Sequence, residues 1–81
     1  MEIKILGMGC PKCNRLEELA REAAGDMGVE ATFTKVKDMD AIMAYDVMST
    51  PALVIDEQVK SSGRIPRKDE IAEWIRAEQG L

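Results

Sequence analysis

The sequence predicts an α/β protein with the element order β-α-β-α-β-β-α, a mixed four-stranded sheet flanked by helices. Three observations carry this expectation. Segments with strand character alternate with segments whose apolar residues recur every three or four positions, and glycine or proline falls between most of them. The first thirty-odd residues read as strand, helix, strand, a unit whose right-handed crossover makes its two strands parallel. Two later apolar segments are separated only by Asp56-Glu57, so they must run antiparallel.

Ile3-Lys4-Ile5-Leu6 alternates apolar and charged, is rich in β-branched residues and stops at Gly7, which describes a strand. Gly7-Met8-Gly9 is a loop. From Pro11 the period changes: Cys13, Leu16, Leu19, Ala20, Ala23, Ala24 and Met27 form one stripe of an amphipathic helix. Pro11 stands near its first position and Gly25 or Gly28 supplies the stop. Residues 29–36 return to a two-residue period around Thr32, Phe33 and Thr34. Asp38 caps a short helix carrying Met39, Ile42, Met43 and Val47, which ends near Asp46, a residue type that tolerates a left-handed backbone. Met27, Met39 and Met43 fall at core spacing and are expected to be packing residues. Ser49-Thr50-Pro51 breaks the chain again. Ala52-Leu53-Val54-Ile55 and Gln58-Val59-Lys60-Ser61 make a hairpin whose turn type stays open, because its preferred glycine is missing. After the loop at residues 62–66 a last helix covers about 67–79, with Ile71, Trp74, Ile75 and Leu81 inward and Gly80 as terminator. It lacks an obvious Ser, Thr, Asp or Asn cap.

Composition narrows the function. A chain of 81 residues, 46% apolar and 32% charged, has the balance of a soluble globular protein and is expected to form one domain over residues 1–81. Eleven basic against fifteen acidic residues give a net charge of -4, so nucleic acid is not an expected partner. No apolar stretch approaches the roughly 20 residues of a membrane helix, and the first residues lack the pattern of a secretory signal. A cytoplasmic monomer is therefore expected. With no histidine, acid-base and metal chemistry lose their commonest side chain, and attention falls on Cys10 and Cys13.

Two cysteines three apart at a helix start share one side of the first turn, so their sulfurs are able to meet at disulfide distance. The ring they close is so short that it stabilises by only about 2 kcal/mol in the chain-entropy model, before strain is subtracted. Such a bridge is a poor staple and a good switch. Cys13 continues the apolar stripe and is expected to be sheltered; Cys10, one turn earlier, is expected to be exposed. There the unpaired helical N–H groups, the positive end of the helix dipole and Lys12 favour a thiolate, lowering the Cys10 pKa. That thiolate attacks a partner disulfide, and Cys13 resolves the mixed disulfide that results. The plain alternative is that both cysteines are small core residues.

Cys10-Pro11-Lys12-Cys13 after a first strand, with Ser49-Thr50-Pro51-Ala52-Leu53-Val54-Ile55-Asp56 about forty residues later, resembles the thioredoxin-like superfamily, in particular its smallest, glutaredoxin-sized members. The likeness extends over essentially the whole chain. It implies a thioredoxin-like fold and a disulfide reductase without a bound cofactor, in which Cys10 and Cys13 are catalytic. It further implies that Thr50-Pro51 is a cis-proline element beside the cysteines and that Pro11, Lys12, Thr50, Pro51 and Gly63 meet the substrate. The implied partners are disulfide-containing proteins. Thioredoxins proper carry Trp before the first cysteine and Gly-Pro between the pair, where this chain has Gly9 and Pro11-Lys12. Their buried proton-transferring acid has no evident counterpart here. Only Gly63 stands where glutaredoxins present a double glycine to glutathione, so a thioredoxin-reductase type of electron donor is expected instead.

Gly7-Met8-Gly9-Cys10-Pro11-Lys12-Cys13 also looks like the loop of heavy-metal-associated domains, in which two thiolates carry Cu(I). That fold is βαββαβ and ends on a strand, whereas this sequence places an amphipathic helix last. A structural zinc site is disfavoured because four ligands are usual. Met8 is expected beside the reactive sulfur, shaping access, and Lys12, Arg15 and Arg64 are candidates for a basic rim.

Overall fold

The computed structural model describes residues 1–9 and 11–79. Its elements are β1 (Glu2–Leu6), α1 (Pro11–Asp26), β2 (Thr32–Val36), α2 (Met39–Met43), β3 (Ala52–Ile55), β4 (Gln58–Ser62) and α3 (Lys68–Glu78). The sheet order is β2-β1-β3-β4. β1 pairs with β2 in parallel, and with β3 antiparallel; β3 and β4 are antiparallel, with a register shift between Leu53 and Val54. This is the mixed, helix-flanked four-stranded sheet expected from the sequence.

The alternation of β1 sorts its side chains between two layers. Ile3 and Ile5 join Leu53, Ile55 and the inner faces of α1 and α3 in one buried cluster, with Cys13, Leu16, Ala20, Ala23, Ala24, Ile71 and Ile75 contributed by the helices. Met27 and Trp74 pack against its border, as their spacing suggests. Leu6 faces the other way, with Ala52, Val54, Ile42 and Val47, in a smaller cluster under α2. The small alanines of α1 let that helix lie close to α3. α1 ends where Gly28, at φ +68°, donates its N–H to the Gly25 carbonyl at 3.1 Å, so Gly28 rather than Gly25 is the terminator.

Three sequence expectations need correction. The second strand begins at Thr32 rather than 29, because Val29 N–H is used to bond the Ala24 carbonyl as the chain leaves the helix. Met39 and Met43 are not packing residues: they are 52% and 61% exposed. A five-residue helix turns only one narrow row inward, and Ile42 occupies it. The α2 helix also stops at Met43, so Val47 reaches its cluster from the following loop, past Asp46 at φ 59°. The last helix, Lys68–Glu78, is close to its expected span and has no side-chain cap on Arg67; Glu70 Oε2 reaches back to accept the Arg67 N–H at 3.2 Å. The inward position expected for Leu81 and the stop at Gly80 lie outside the described residues.

The hairpin turn is now defined. Asp56 and Glu57 both have positive φ, 48° and 68°, the signature of a primed two-residue turn built without glycine. Tertiary bonds hold it. Asp56 exchanges two bonds with Glu2, donating its N–H to the Glu2 carbonyl and accepting the Glu2 N–H on Oδ1, each at 2.8 Å. Glu57 Oε1 accepts from Lys4 Nζ at 2.6 Å, and Lys4 also donates to the Tyr45 hydroxyl at 2.8 Å. The bond to Glu57 holds the Lys4 ammonium protonated well beyond the usual lysine range, and the same bond holds the Glu57 carboxyl below the usual carboxylate range. Among the described residues no helix is long and apolar enough to cross a membrane.

Candidate functional site

The β1 strand delivers the chain to the site and Gly7 closes it, donating its N–H to the Val36 carbonyl at 2.9 Å. Gly7 is buried, while Met8 and Gly9 are exposed. Gly9 needs its glycine for a different reason, because its φ is +91°. Pro11 then opens α1, and the first turn of that helix holds no acidic residue. The positive pole at the helix N-terminus is thus not neutralised from within its own first turn.

Of the two cysteines, Cys13 is 4% exposed and belongs to the cluster that α1 and α3 form against the sheet. Its position on the apolar stripe dictates this. Cys10, expected to be exposed and ionised, lies outside the described residues. Pro11 and Lys12 are exposed on the first turn. Lys12 makes no ion pair with any described residue, whereas Arg15 is paired with Glu18 at 3.1 Å and Arg64 with Glu70 at 2.9 Å. Arg64, together with the Arg67 backbone, draws the Glu70 carboxyl below its usual range. Of the expected basic rim, only Lys12 is unengaged among described residues. Met8 is exposed; its expected place beside the Cys10 sulfur involves a residue outside those described.

The second half of the site arrives from the loop before β3. The Thr50-Pro51 peptide bond is cis, with Thr50 exposed and Pro51 fully buried. The Pro51 carbonyl accepts the Gly63 N–H at 3.0 Å, which ties this loop to the end of β4. Gly63 has φ +75°, and a Cβ on it would approach the Ser49 Cβ to 2.9 Å, so backbone and space both require glycine there. Its N–H is already used inside the protein.

Gly7 brings the two halves together. A Cβ at Gly7 would lie 3.9 Å from the Thr50 Cβ and would overlap the Cys13 sulfur outright. The β1 end, the first turn of α1 and the Thr50-Pro51 loop therefore converge on one residue without a side chain. Sequence reading treats Gly7 only as a strand stop, because a requirement for space becomes visible only when the neighbour is placed. Chemically, the arrangement offers a sheltered cysteine sulfur in the first turn of a helix, no acidic residue in that turn, and an exposed threonine nearby.

The family model described as the thioredoxin domain matches residues 1–76. Among characterised proteins the chain is 42% identical over 71 residues to a thioredoxin of Methanothermobacter thermautotrophicus, covering 88% of this chain and 92% of that protein. It is 36% identical over 75 residues to a thioredoxin of Methanocaldococcus jannaschii, covering 93% of this chain and 86% of that one.

Proposed function

This chain belongs to the thioredoxin family of thiol-disulfide oxidoreductases, and from that premise we propose that it reduces protein disulfides with the Cys10-Cys13 pair. The observation that carries the reading is the seat of Cys13, buried at the first turn of α1 within reach of the Thr50-Pro51 loop. A sheltered second thiol is what a resolving cysteine requires, since it must react with its neighbour and not with bulky partners.

In the proposed reaction the Cys10 thiolate attacks one sulfur of a substrate disulfide. The substrate S–S bond breaks, one substrate sulfur leaves as a thiolate and takes a proton from solvent, and Cys10 is joined to the other. Cys13, giving its proton to solvent, then attacks the Cys10 sulfur. A Cys10-Cys13 disulfide forms and the second substrate thiol is released. Two electrons have passed from the dithiol to the substrate, and a thioredoxin-reductase type of donor restores them. The free pole of α1 and Lys12 stabilise the attacking thiolate. Pro11, Lys12 and Thr50 meet an extended substrate segment; Pro51, expected to meet it too, is fully buried and instead shapes the loop from beneath, with Gly63 fixing its carbonyl. A single-domain, monomeric, cytoplasmic electron carrier is part of the same proposal.

Insulin-disulfide reduction tests it. Cys10→Ser is expected to abolish turnover, and Cys13→Ser to accumulate mixed disulfides through Cys10. Turnover that survives Cys10→Ser refutes the reading. A stable one-to-one Cu(I) complex without insulin reduction points instead to a soft-metal carrier, although the chain's closing helix departs from the βαββαβ order of such carriers.

A further inference from the structure

We propose that Gly7 is a positioning residue for the resolving step: its missing side chain is the space in which the Cys13 sulfur sits. The proposal rests on the disulfide-reductase reading above. Gly7 is not among the glycines with positive φ, so the backbone would admit another residue. What excludes a side chain is space. A Cβ at Gly7 falls inside the Cys13 sulfur, yet it stands 3.4 Å from the Cys13 Cβ and 3.9 Å from the Thr50 Cβ, both ordinary contacts. Among the described residues the conflict thus involves one atom, the Cys13 sulfur. Gly7 itself is held by its N–H bond to Val36, and Cys13 by the buried cluster behind it, so neither yields easily.

Adding a methyl group at Gly7 therefore displaces the sulfur rather than the backbone. Closing a four-residue disulfide ring tolerates little displacement, because the attacking sulfur must approach along the axis of the bond it breaks. Attack by Cys10 on the substrate forms no bond to the Cys13 sulfur, so it depends less on where that sulfur sits.

Two measurements test this. The first is a stability cycle of wild type, Gly7→Ala, Cys13→Ala and the double variant, by denaturant unfolding of the reduced proteins. Gly7→Ala is expected to lower the folding equilibrium constant about tenfold or more when Cys13 is present, and much less when Cys13 is alanine. Should Gly7→Ala alone fail to fold, a folded double variant carries the same meaning. Additive effects, or a double variant as damaged as the single, overturn the seat. The second separates the two chemical steps with an aromatic disulfide whose two thiolate releases are timed individually. In Gly7→Ala the rate of the second release relative to the first is expected to fall about tenfold. Equal slowing of both, or of neither, overturns the positioning role. A wild-type protein that gives no second release overturns the reductase reading and the positioning role with it, while the stability cycle still decides whether Gly7 seats the sulfur.

Discussion

The two faces of the sheet are built to different standards. Among the described residues, one is covered by α1 and α3, sixteen and eleven residues long, in a cluster of eleven buried side chains; the other by α2, five residues long, in a cluster of five. On the thick face nearly every inward position is aliphatic. On the thin face Lys4, Tyr45 and Glu57 form a hydrogen-bonded group beside the apolar cluster, and Met39 and Met43 stand in solvent. Cys13 belongs to the thick face. The placement suits the proposed resolving role, since the larger cluster holds the sulfur in register, while the smaller face anchors the hairpin turn by polar bonds.

This contrast is easiest to break in the core. Leu16→Ala on the thick face is expected to cost about 3–5 kcal/mol in denaturant unfolding, whereas Ile42→Ala is expected near 2 kcal/mol, because the short α2 relaxes into the space. A larger loss at Ile42 than at Leu16 would reverse the ranking of the faces. A smaller effect comes from pH. The Glu57 carboxyl, held low by Lys4 and then by the Tyr45 hydroxyl, contributes stability that is present above the unfolded carboxylate pKa and lost as pH falls through the folded value. Lys4, held high, contributes below the usual lysine pKa and loses that only as pH rises through its folded value. The stability advantage of wild type over Glu57→Gln is thus expected at neutral pH and to vanish in strong acid; an advantage that persists there would contradict the assignment. Glu57 is largely open to water and Lys4 only partly buried, so the effect is modest. Least of all, Met39→Gln and Met43→Gln are expected to stay within about 0.5 kcal/mol of wild type, and a greater loss would mean that α2 buries more than its one row.

Much of this was legible in the residues. The element order followed from periodicity, since α1 repeats its stripe over four turns and leaves little ambiguity. The burial of Cys13 followed from the same stripe. Short elements were harder: in five residues Met39, Ile42 and Met43 fit one helical spacing, but geometry admits only Ile42. The Asp56-Glu57 turn escaped typing because its positive φ values are sustained by Glu2, Lys4 and Tyr45, which are distant in sequence. Two features of the site depend on contacts made only once the chain is folded and so leave no local signal. They are the Gly7 gap beside Cys13 and the engagement of the Gly63 N–H by Pro51.

The most direct measurement is the pH dependence of alkylation at each cysteine, followed by mass spectrometry on the reduced protein with a bulky reagent. The expected result is rapid modification of Cys10, with a midpoint below the ordinary thiol pKa of about 8.5, while Cys13 stays protected. Equal rates at the two sulfurs, both rising only near that ordinary value, would contradict a division of labour between an attacking and a resolving thiol.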